Sequence, residues 1–147
     1  MITVSPAYAD VPPAGKQFRI TLSWNGESER LCVGSLPVPS SKVRKFPALP
    51  CDGSTAQLWK RSDNGRCIQN VAHPRSIALF DILQRLCQRG VKGPMQWTQD
   101  AQGRVTHKGT YLDYWGVSEE YGHRYLVVYR ASGSTATDAG LFTFEEV

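Results

Sequence analysis

The stretch PRSIALFDILQRLCQRG, residues 74–90, decides the predicted fold class because it has the periodicity of an amphipathic helix. At 100° per residue, its apolar side chains fall on one arc and its polar side chains on the opposite arc. Pro74 suits a first helical turn, where its missing N–H is not needed, and Gly90 suits a left-handed helix end. The pattern predicts one helix, from Pro74 to Arg89, that packs against a sheet.

Two similar hairpins are predicted on either side of this helix. QLWKRSDNGRCIQN places Trp59 six residues before Gly65, and MQWTQDAQGRVTHK places Trp97 six residues before Gly103. Each reads as a strand, a polar turn that ends in glycine, and a second strand. Strands are also predicted at residues 17–24, 30–33, 110–115, 124–130 and 141–147, with a polar loop over 118–123.

Prolines at 37, 39, 47 and 50 argue against a central strand in residues 34–55, which we expect to form a long surface loop. The order of elements predicts an α+β fold, in which a mostly antiparallel sheet packs against the single helix. We expect one domain over residues 17–147, preceded by an irregular lead-in over residues 1–16.

Composition and cysteine spacing narrow the class of protein. Of 147 residues, 41% are hydrophobic and 20% are charged, which is typical of a globular chain. No apolar run approaches the ~20 residues of a membrane helix, so we expect no membrane contact. The four cysteines, at 32, 51, 67 and 87, form no C-x-x-C motif. Without a recognisable signal peptide, we predict reduced thiols and a cytoplasmic location, although two disulfides with three connectivities stay open in an oxidising compartment.

Charge is distributed unevenly along the chain. Residues 42–108 carry twelve basic and four acidic side chains, a net charge of +8, whereas residues 109–147 carry a net charge of −4. A middle region this positive attracts an anionic partner, either nucleic acid or the acidic surface of a protein. The alternative is a polarised surface without a partner.

The paired hairpins also resemble the repeat of ricin-type β-trefoil lectins, in which Q-x-W precedes a glycine turn. The resemblance implies a secreted carbohydrate-binding protein and a Cys32–Cys51 disulfide, since these two cysteines match the spacing within one repeat. Gly34 stands where the first repeat of the family has its sugar-binding aspartate. In the third segment, Asp113 and Tyr129 are the residues that imitate the family's aspartate and stacking aromatic residue. The predicted helix occupies sequence that a trefoil needs for strands.

Catalytic motifs are sparse in this chain. The histidines His73, His107 and His123 are dispersed without metal-ligand spacing, and no phosphate-binding loop or nucleophile elbow occurs. One catalytic alternative is a metal-independent ribonuclease, for which Glu119, Glu120, His123 and Arg124, with His107 and Lys108, supply acid, base and cation. We expect no cofactor and no metal site.

The sequence is best interpreted as a small non-enzymatic binding protein that engages nucleic acid, or an acidic protein surface as an inhibitor or immunity-type factor. The helix is expected to present arginines outward without acidic neighbours to pair with them. Reversing Arg85 and Arg89 to Glu is therefore predicted to weaken partner binding at least tenfold. The candidate contact residues are basic side chains of the middle region and one aromatic residue: Lys42, Arg44, Lys45, Arg75, Arg85, Arg89, Lys92, Arg104, Lys108 and Trp115.

Overall fold

The computed structural model describes residues 10–23, 30–35, 45–63, 65, 67–72, 78–79, 95, 97–100, 103–107, 113–130 and 141–147. Within these residues the chain forms antiparallel strands and one 3₁₀ turn, Thr55–Gln57. No helix in this part of the chain is long and apolar enough to cross a membrane. The strands are β1 (Gln17–Ser23), β2 (Leu31–Val33), β3 (Lys45–Pro50), β4 (Trp59–Arg61), β5 (Ile68–Asn70), β6 (Ala78–Leu79), β7 (Trp97–Gln99), β8 (Val105–His107), β9 (Asp113–Glu120), β10 (His123–Arg130) and β11 (Leu141–Glu146).

The α+β prediction is wrong, because the fold is nearly all antiparallel β-sheet. Inside the predicted helix, Ala78 and Leu79 form β6, which pairs with Gln69 and Ile68 of β5. The rest of that predicted helix, residues 74–77 and 80–89, lies outside the described residues. Helical periodicity is a local signal that a short apolar run also gives by chance, and here pairing with the preceding strand β5 overrides it.

One pattern of strand pairing recurs three times among the described residues. β4 pairs with β5, β7 with β8, and β11 with β1, in each case antiparallel. The three pairs share one register. In one strand of each pair, the residue two positions after an aromatic residue pairs with a buried β-branched residue of the other strand. The aromatic residues are Trp59, Trp97 and Phe142, and the β-branched residues are Ile68, Val105 and Ile20. The β4–β5, β7–β8 and β11–β1 pairs therefore repeat one local arrangement.

The two hairpins predicted from the sequence are confirmed, and their turns are alike. In the first, the N–H of Ser62 donates to Cys67 O and that of Gly65 donates to Ser62 O, both at 2.8 Å. In the second, Asp100 N–H donates to Arg104 O at 2.9 Å and Gly103 N–H donates to Asp100 O at 3.0 Å. Gly65 and Gly103 adopt φ of +77° and +86°, a backbone conformation that glycine tolerates best.

The core lies between the three strand pairs and is rich in aromatic rings. Trp115 of β9 is fully buried, and its ring centroid lies 5.6–5.7 Å from those of Trp97, Phe142 and Phe144. Phe144 also makes an edge-on contact with Phe18 of β1, at 5.8 Å. Because β11 pairs with β1, this cluster joins the last strand of the chain to the first.

A strand also crosses the region where prolines were expected to prevent one. β3, with the sequence KFPALP, lies between β2 and β10. Its first residues pair with β10 and its last with β2, and Ala48 is the residue with partners on both sides. Pro47 and Pro50 therefore lie where β3 has a single neighbour in the ladder, so that each missing N–H costs little.

The predicted polar loop over residues 118–123 is instead the tight end of a long hairpin. β9 and β10 pair from Asp113↔Arg130 to His123↔Glu120 and leave a two-residue turn, Tyr121-Gly122. Both turn residues have positive φ, +51° and +78°, as a type I′ turn requires. Val127 of β10 is only half-buried, so it is not part of the core.

The prediction of reduced thiols is wrong for Cys32, Cys51 and Cys67. Cys32 and Cys51 form a disulfide with a Cα–Cα distance of 4.9 Å, as the lectin resemblance implies. Cys67 is also disulfide-bonded, and Cys87 lies outside the described residues. The first disulfide ties β2 to the chain that follows β3.

Gln57, the first residue of the first Q-x-W segment, closes the loop that follows Cys51. Its side chain is buried, accepts the N–H of Asp52 at 3.0 Å and donates to Pro50 O at 3.1 Å. Asp52 in turn accepts the N–H of Ser54 at 2.8 Å, and hydrogen bonds from Ser54 hold the pKa of Asp52 below its ordinary value. The glutamine of this motif therefore has a structural role here.

Candidate functional site

Four of the six residues proposed for ribonuclease chemistry lie together, and His107 lies apart from them. Glu119, Glu120, His123 and Arg124 lie together at the closed end of the β9–β10 hairpin. His107 ends β8, which pairs with β9 at Thr106↔Tyr114, near the other end of that hairpin. Six residues separate Tyr114 from Glu120, which is about 20 Å along a strand. Lys108 lies outside the described residues. His107 therefore lies too far from the other four residues to act on the same phosphate.

Within the described part of the chain, no three His, Cys, Asp or Glu residues are grouped so that they could hold a metal ion. Three surfaces follow from the sequence and the fold: the sugar sites implied by the lectin resemblance, the basic residues of the middle region, and the exposed end of the β9–β10 hairpin.

The strand register identifies the three positions at which a ricin-type chain would place its sugar-binding aspartate. Equivalent positions are occupied by Cys32, Ala78 and Tyr114. Cys32 pairs with the residue after Ile20, Ala78 with the residue after Ile68, and Tyr114 with the residue after Val105. Ile20, Ile68 and Val105 are all buried. Two residues further along the chain stand Gly34, Phe80 and Gly116. None of the three is an aspartate. Asp113, the residue selected from the sequence, precedes Tyr114 and is therefore three positions out of register.

Gly34 also leaves no room for a longer side chain. A Cβ atom at this position would lie 3.0 Å from the carbonyl oxygen of Ala56, which accepts the N–H of Ser35 at 3.0 Å. The N–H of Gly34 donates to Pro47 O at 2.8 Å, so its backbone is held on both sides. In the third repeat, the ring of Tyr129 stacks on that of Tyr114, with centroids 5.5 Å apart. Neither repeat presents the aspartate and free aromatic ring that the lectin resemblance implies.

The basic residues predicted to contact a partner are only partly placed by the structure. Lys45 begins β3, and Arg104 lies in the turn before β8, where its Nε is 2.8 Å from Oδ2 of Asp100. Trp115 is fully buried. It follows Tyr114 as Val33 follows Cys32, so it lies on the core face of the sheet. Trp115 is therefore removed from the candidate contacts. The other candidates lie outside the described residues: Lys42, Arg44, Arg75, Arg85, Arg89, Lys92 and Lys108.

A basic cleft does lie within the described residues. We call it the β1–β4 cleft; it has a volume of about 310 Å³ and is lined by residues 14–17 and 60–63. Lys16, Lys60 and Arg61 supply three positive charges and Asp63 one negative charge, a net charge of +2. Lys60 pairs with Gln17 across the β1–β4 ladder, and Gln17 directly follows Lys16 in the chain.

Arg61 builds the wall of this cleft. Its Nε donates to Pro12 O at 2.6 Å and its Nη2 donates to Val11 O at 2.9 Å. Val11 itself is buried in the core, so the lead-in segment is held firmly against β4. Lys16 follows Gly15 in a turn whose N–H bond to Pro13 O measures 3.2 Å. The sequence indicated Lys60 and Arg61 through regional charge alone, and Lys16 was missed because it precedes the basic region.

The third surface is the closed end of the β9–β10 hairpin. We call residues 119–124 the hairpin tip. Tyr121 is 100% exposed, and Leu49 of the neighbouring β3 is 49% exposed. A shallow cleft of about 280 Å³ lies beside the tip, lined by Leu31, residues 48–50 and residues 122–124. Tyr121 falls within the polar loop predicted over residues 118–123 and is not among the residues selected from the sequence. A tyrosine directly before glycine between charged residues is the local signal that indicates an exposed turn.

No protein-family model, curated protein or solved structure matches this chain. Function is therefore inferred from these surfaces alone.

Proposed function

We propose that the chain is a small non-enzymatic binding protein that engages an anionic partner, and that the β1–β4 cleft receives the anionic group. The observation that carries this proposal is the convergence of Lys16, Lys60 and Arg61 around one concave volume. The cleft volume of about 310 Å³ is at the small end of pockets that hold a ligand. A single carboxylate, sulfate or phosphate group suits it.

The electrostatics of the whole chain support the same partner. Residues 42–108 carry a net charge of +8, and β4 belongs to that region. Summed charge of one sign attracts an oppositely charged partner over about 8–10 Å at ordinary salt, and a cleft concentrates that field. The contact between Arg61 and the lead-in keeps the walls of the cleft in place, which lowers the entropic cost of ordering them on binding.

The two alternative functions receive less support. A ricin-type sugar site needs an aspartate, and the three equivalent positions hold Gly34, Phe80 and Gly116. A metal-independent ribonuclease would have to work with Glu119, Glu120, His123 and Arg124 alone, because His107 lies about 20 Å along the hairpin from His123.

Disulfide bonds support an oxidising compartment for this binding protein, in place of the cytoplasm predicted from the sequence. Cys32–Cys51 and the bonded Cys67 would be kept as thiols by the reducing systems of the cytosol. Reactivity of the folded chain toward a thiol reagent, before and after denaturation, measures the disulfide content directly.

The test is calorimetric titration with inorganic tripolyphosphate at low and high salt. We expect the Lys16→Glu/Lys60→Glu variant to bind at least tenfold more weakly than the wild type, about 1.4 kcal/mol, while Lys16→Arg/Lys60→Arg retains binding. The Arg30→Glu/Arg130→Glu variant changes the net charge equally at two arginines that are not candidate contacts, so it serves as the control for the overall field.

Equal weakening by both charge-reversal variants would mean that the anion samples the whole basic surface and that the β1–β4 cleft has no special role. A wild-type chain that does not bind tripolyphosphate even at low salt would overturn the proposal.

A further inference from the structure

The hairpin tip presents a side chain that the fold does nothing to bury. Tyr121 is 100% exposed and its backbone has φ +51°, a conformation that costs a residue with a Cβ free energy and is unusual for a bulky side chain. Such strain persists where the surrounding structure imposes it and often marks a functional contact. Here the β9–β10 ladder imposes it directly, through His123↔Glu120.

The full exposure of the Tyr121 ring favours a partner with a pocket that can surround it. Because Tyr121 protrudes, a small molecule would cover only one face of the ring, whereas a protein surface with a pocket can surround it. Tyrosine is among the residues that contribute most to protein–protein contacts when they fill a pocket on the partner. The half-exposed Leu49 beside the tip extends the apolar part of this surface.

The charge of the hairpin tip indicates which kind of partner surface would accept it. Glu119 and Glu120 precede Tyr121, and Arg124 follows it, so that the tip has a net charge of −1 with a neutral His123. The pocket that accepts this tip should therefore have a basic rim. The β1–β4 cleft of the same chain has these properties, because Lys16, Lys60 and Arg61 surround a volume of about 310 Å³.

The two surfaces do not meet within one molecule. The β1–β4 cleft lies at the Gln17 end of β1, whereas β2 joins β1 near Leu22, about 17 Å along the strand. From there, the sheet order places β2 and β3 between β1 and the hairpin. The tip of one copy can reach only the cleft of another copy.

We propose that the hairpin tip of one copy docks into the β1–β4 cleft of a second copy, with Tyr121 in the cleft and Glu119 against its lysines. This inference rests on the proposed function, since it names the anionic partner of that cleft. The interface is heterologous, so repeated contacts build a ring if the rotation closes and an open chain if it does not.

Sedimentation velocity over a concentration series up to about 1 mM tests the self-association. We expect Tyr121→Ala and Lys60→Glu each to weaken it at least tenfold, and Tyr121→Phe and Thr143→Glu, on an exposed part of β11, to leave it unchanged. The decisive measurement is an equimolar mixture of Tyr121→Ala and Lys60→Glu. In this mixture the Lys60→Glu chain keeps an intact tip and the Tyr121→Ala chain keeps an intact cleft. The mixture should therefore form a heterodimer of wild-type affinity and nothing larger.

Each contrary outcome has a distinct meaning. A wild-type chain that stays monomeric throughout the series overturns the docking, and tripolyphosphate binding to that monomer leaves the proposed function intact. Self-association that survives Tyr121→Ala, or that the mixture fails to restore, places the contact on another surface. A Glu119→Lys/Lys60→Glu variant, in which both surfaces are inverted, should recover association lost by either single change.

Discussion

Tyr121 is the residue whose local conformation and exposure disagree most with its type. At φ +51° in a type I′ turn, asparagine is favoured over tyrosine because its short polar side chain tolerates the left-handed conformation. We expect Tyr121→Asn to raise the free energy of unfolding by about 1 kcal/mol, measured by urea denaturation. Tyr121→Ala is the matched control: it keeps a Cβ in the same strained conformation and should gain little. If both variants are stabilised equally, the left-handed backbone conformation of residue 121 is not the source of the gain in stability.

Gln57 shows how a single side chain can hold a loop. Its amide is buried and bridges the backbone of Asp52 and Pro50. Gln57→Met keeps the length of the side chain, and Met95 already stands before Gln96-Trp97 in the second hairpin. We expect this variant to lose about 2 kcal/mol of stability, since an N–H and a carbonyl lose their partner. A melting curve identical to that of the wild type would contradict the structural role.

Gly34 is required by close approach rather than by an unusual backbone angle. A Cβ atom at this position would lie only 3.0 Å from Ala56 O, so any side chain here must displace backbone. Gly34→Asp, which introduces the aspartate that the lectin resemblance implies, should cost about 1–3 kcal/mol of stability and confer no sugar binding. Gly53→Asp, in open space but at φ +75°, is the control that separates contact from backbone strain. Denaturation measures the loss of stability, and titration with simple monosaccharides measures sugar binding.

At the scale of elements, the Cys32–Cys51 bond connects β2 to the end of β3 across 19 residues of chain. A loop of this size is expected to contribute about 3 kcal/mol by restricting the unfolded chain. We expect Cys32→Ala/Cys51→Ala to lose about that much, measured by denaturation of both proteins without reductant. If the double variant and the wild type unfold at the same denaturant concentration, the bond contributes nothing to stability.

At the scale of the whole molecule, the pairing of β11 with β1 makes the end of the chain part of the core. Phe144 contacts both Phe18 and Trp115, whereas its neighbour Thr143 is exposed. We therefore expect Phe144→Ala to cost about 3–5 kcal/mol of unfolding free energy. Thr143→Ala, on the opposite face of the same strand, should change stability by less than about 0.5 kcal/mol. Chemical denaturation of the two variants compares them directly.

The sequence by itself determined the short-range features of this protein. The two hairpins with Trp59 and Trp97, their glycine turns, and the strands that begin at Gln17 and Leu141 follow from alternation and turn residues that act over a few positions. The uneven charge is likewise present in the sequence, and it indicated Lys60 and Arg61 before their arrangement was known.

Only the tertiary structure decided what depends on contacts between distant segments. Ala78 and Leu79 form a strand because β5 offers a partner, and Pro47 is accepted in β3 because β2 and β10 overlap only at Ala48. The cleft around Lys16 and Lys60 likewise requires the lead-in and β4 to meet. These outcomes are nonlocal pairings, whose free energy no window of the sequence contains, so periodicity and proline content in the isolated segments predicted the opposite.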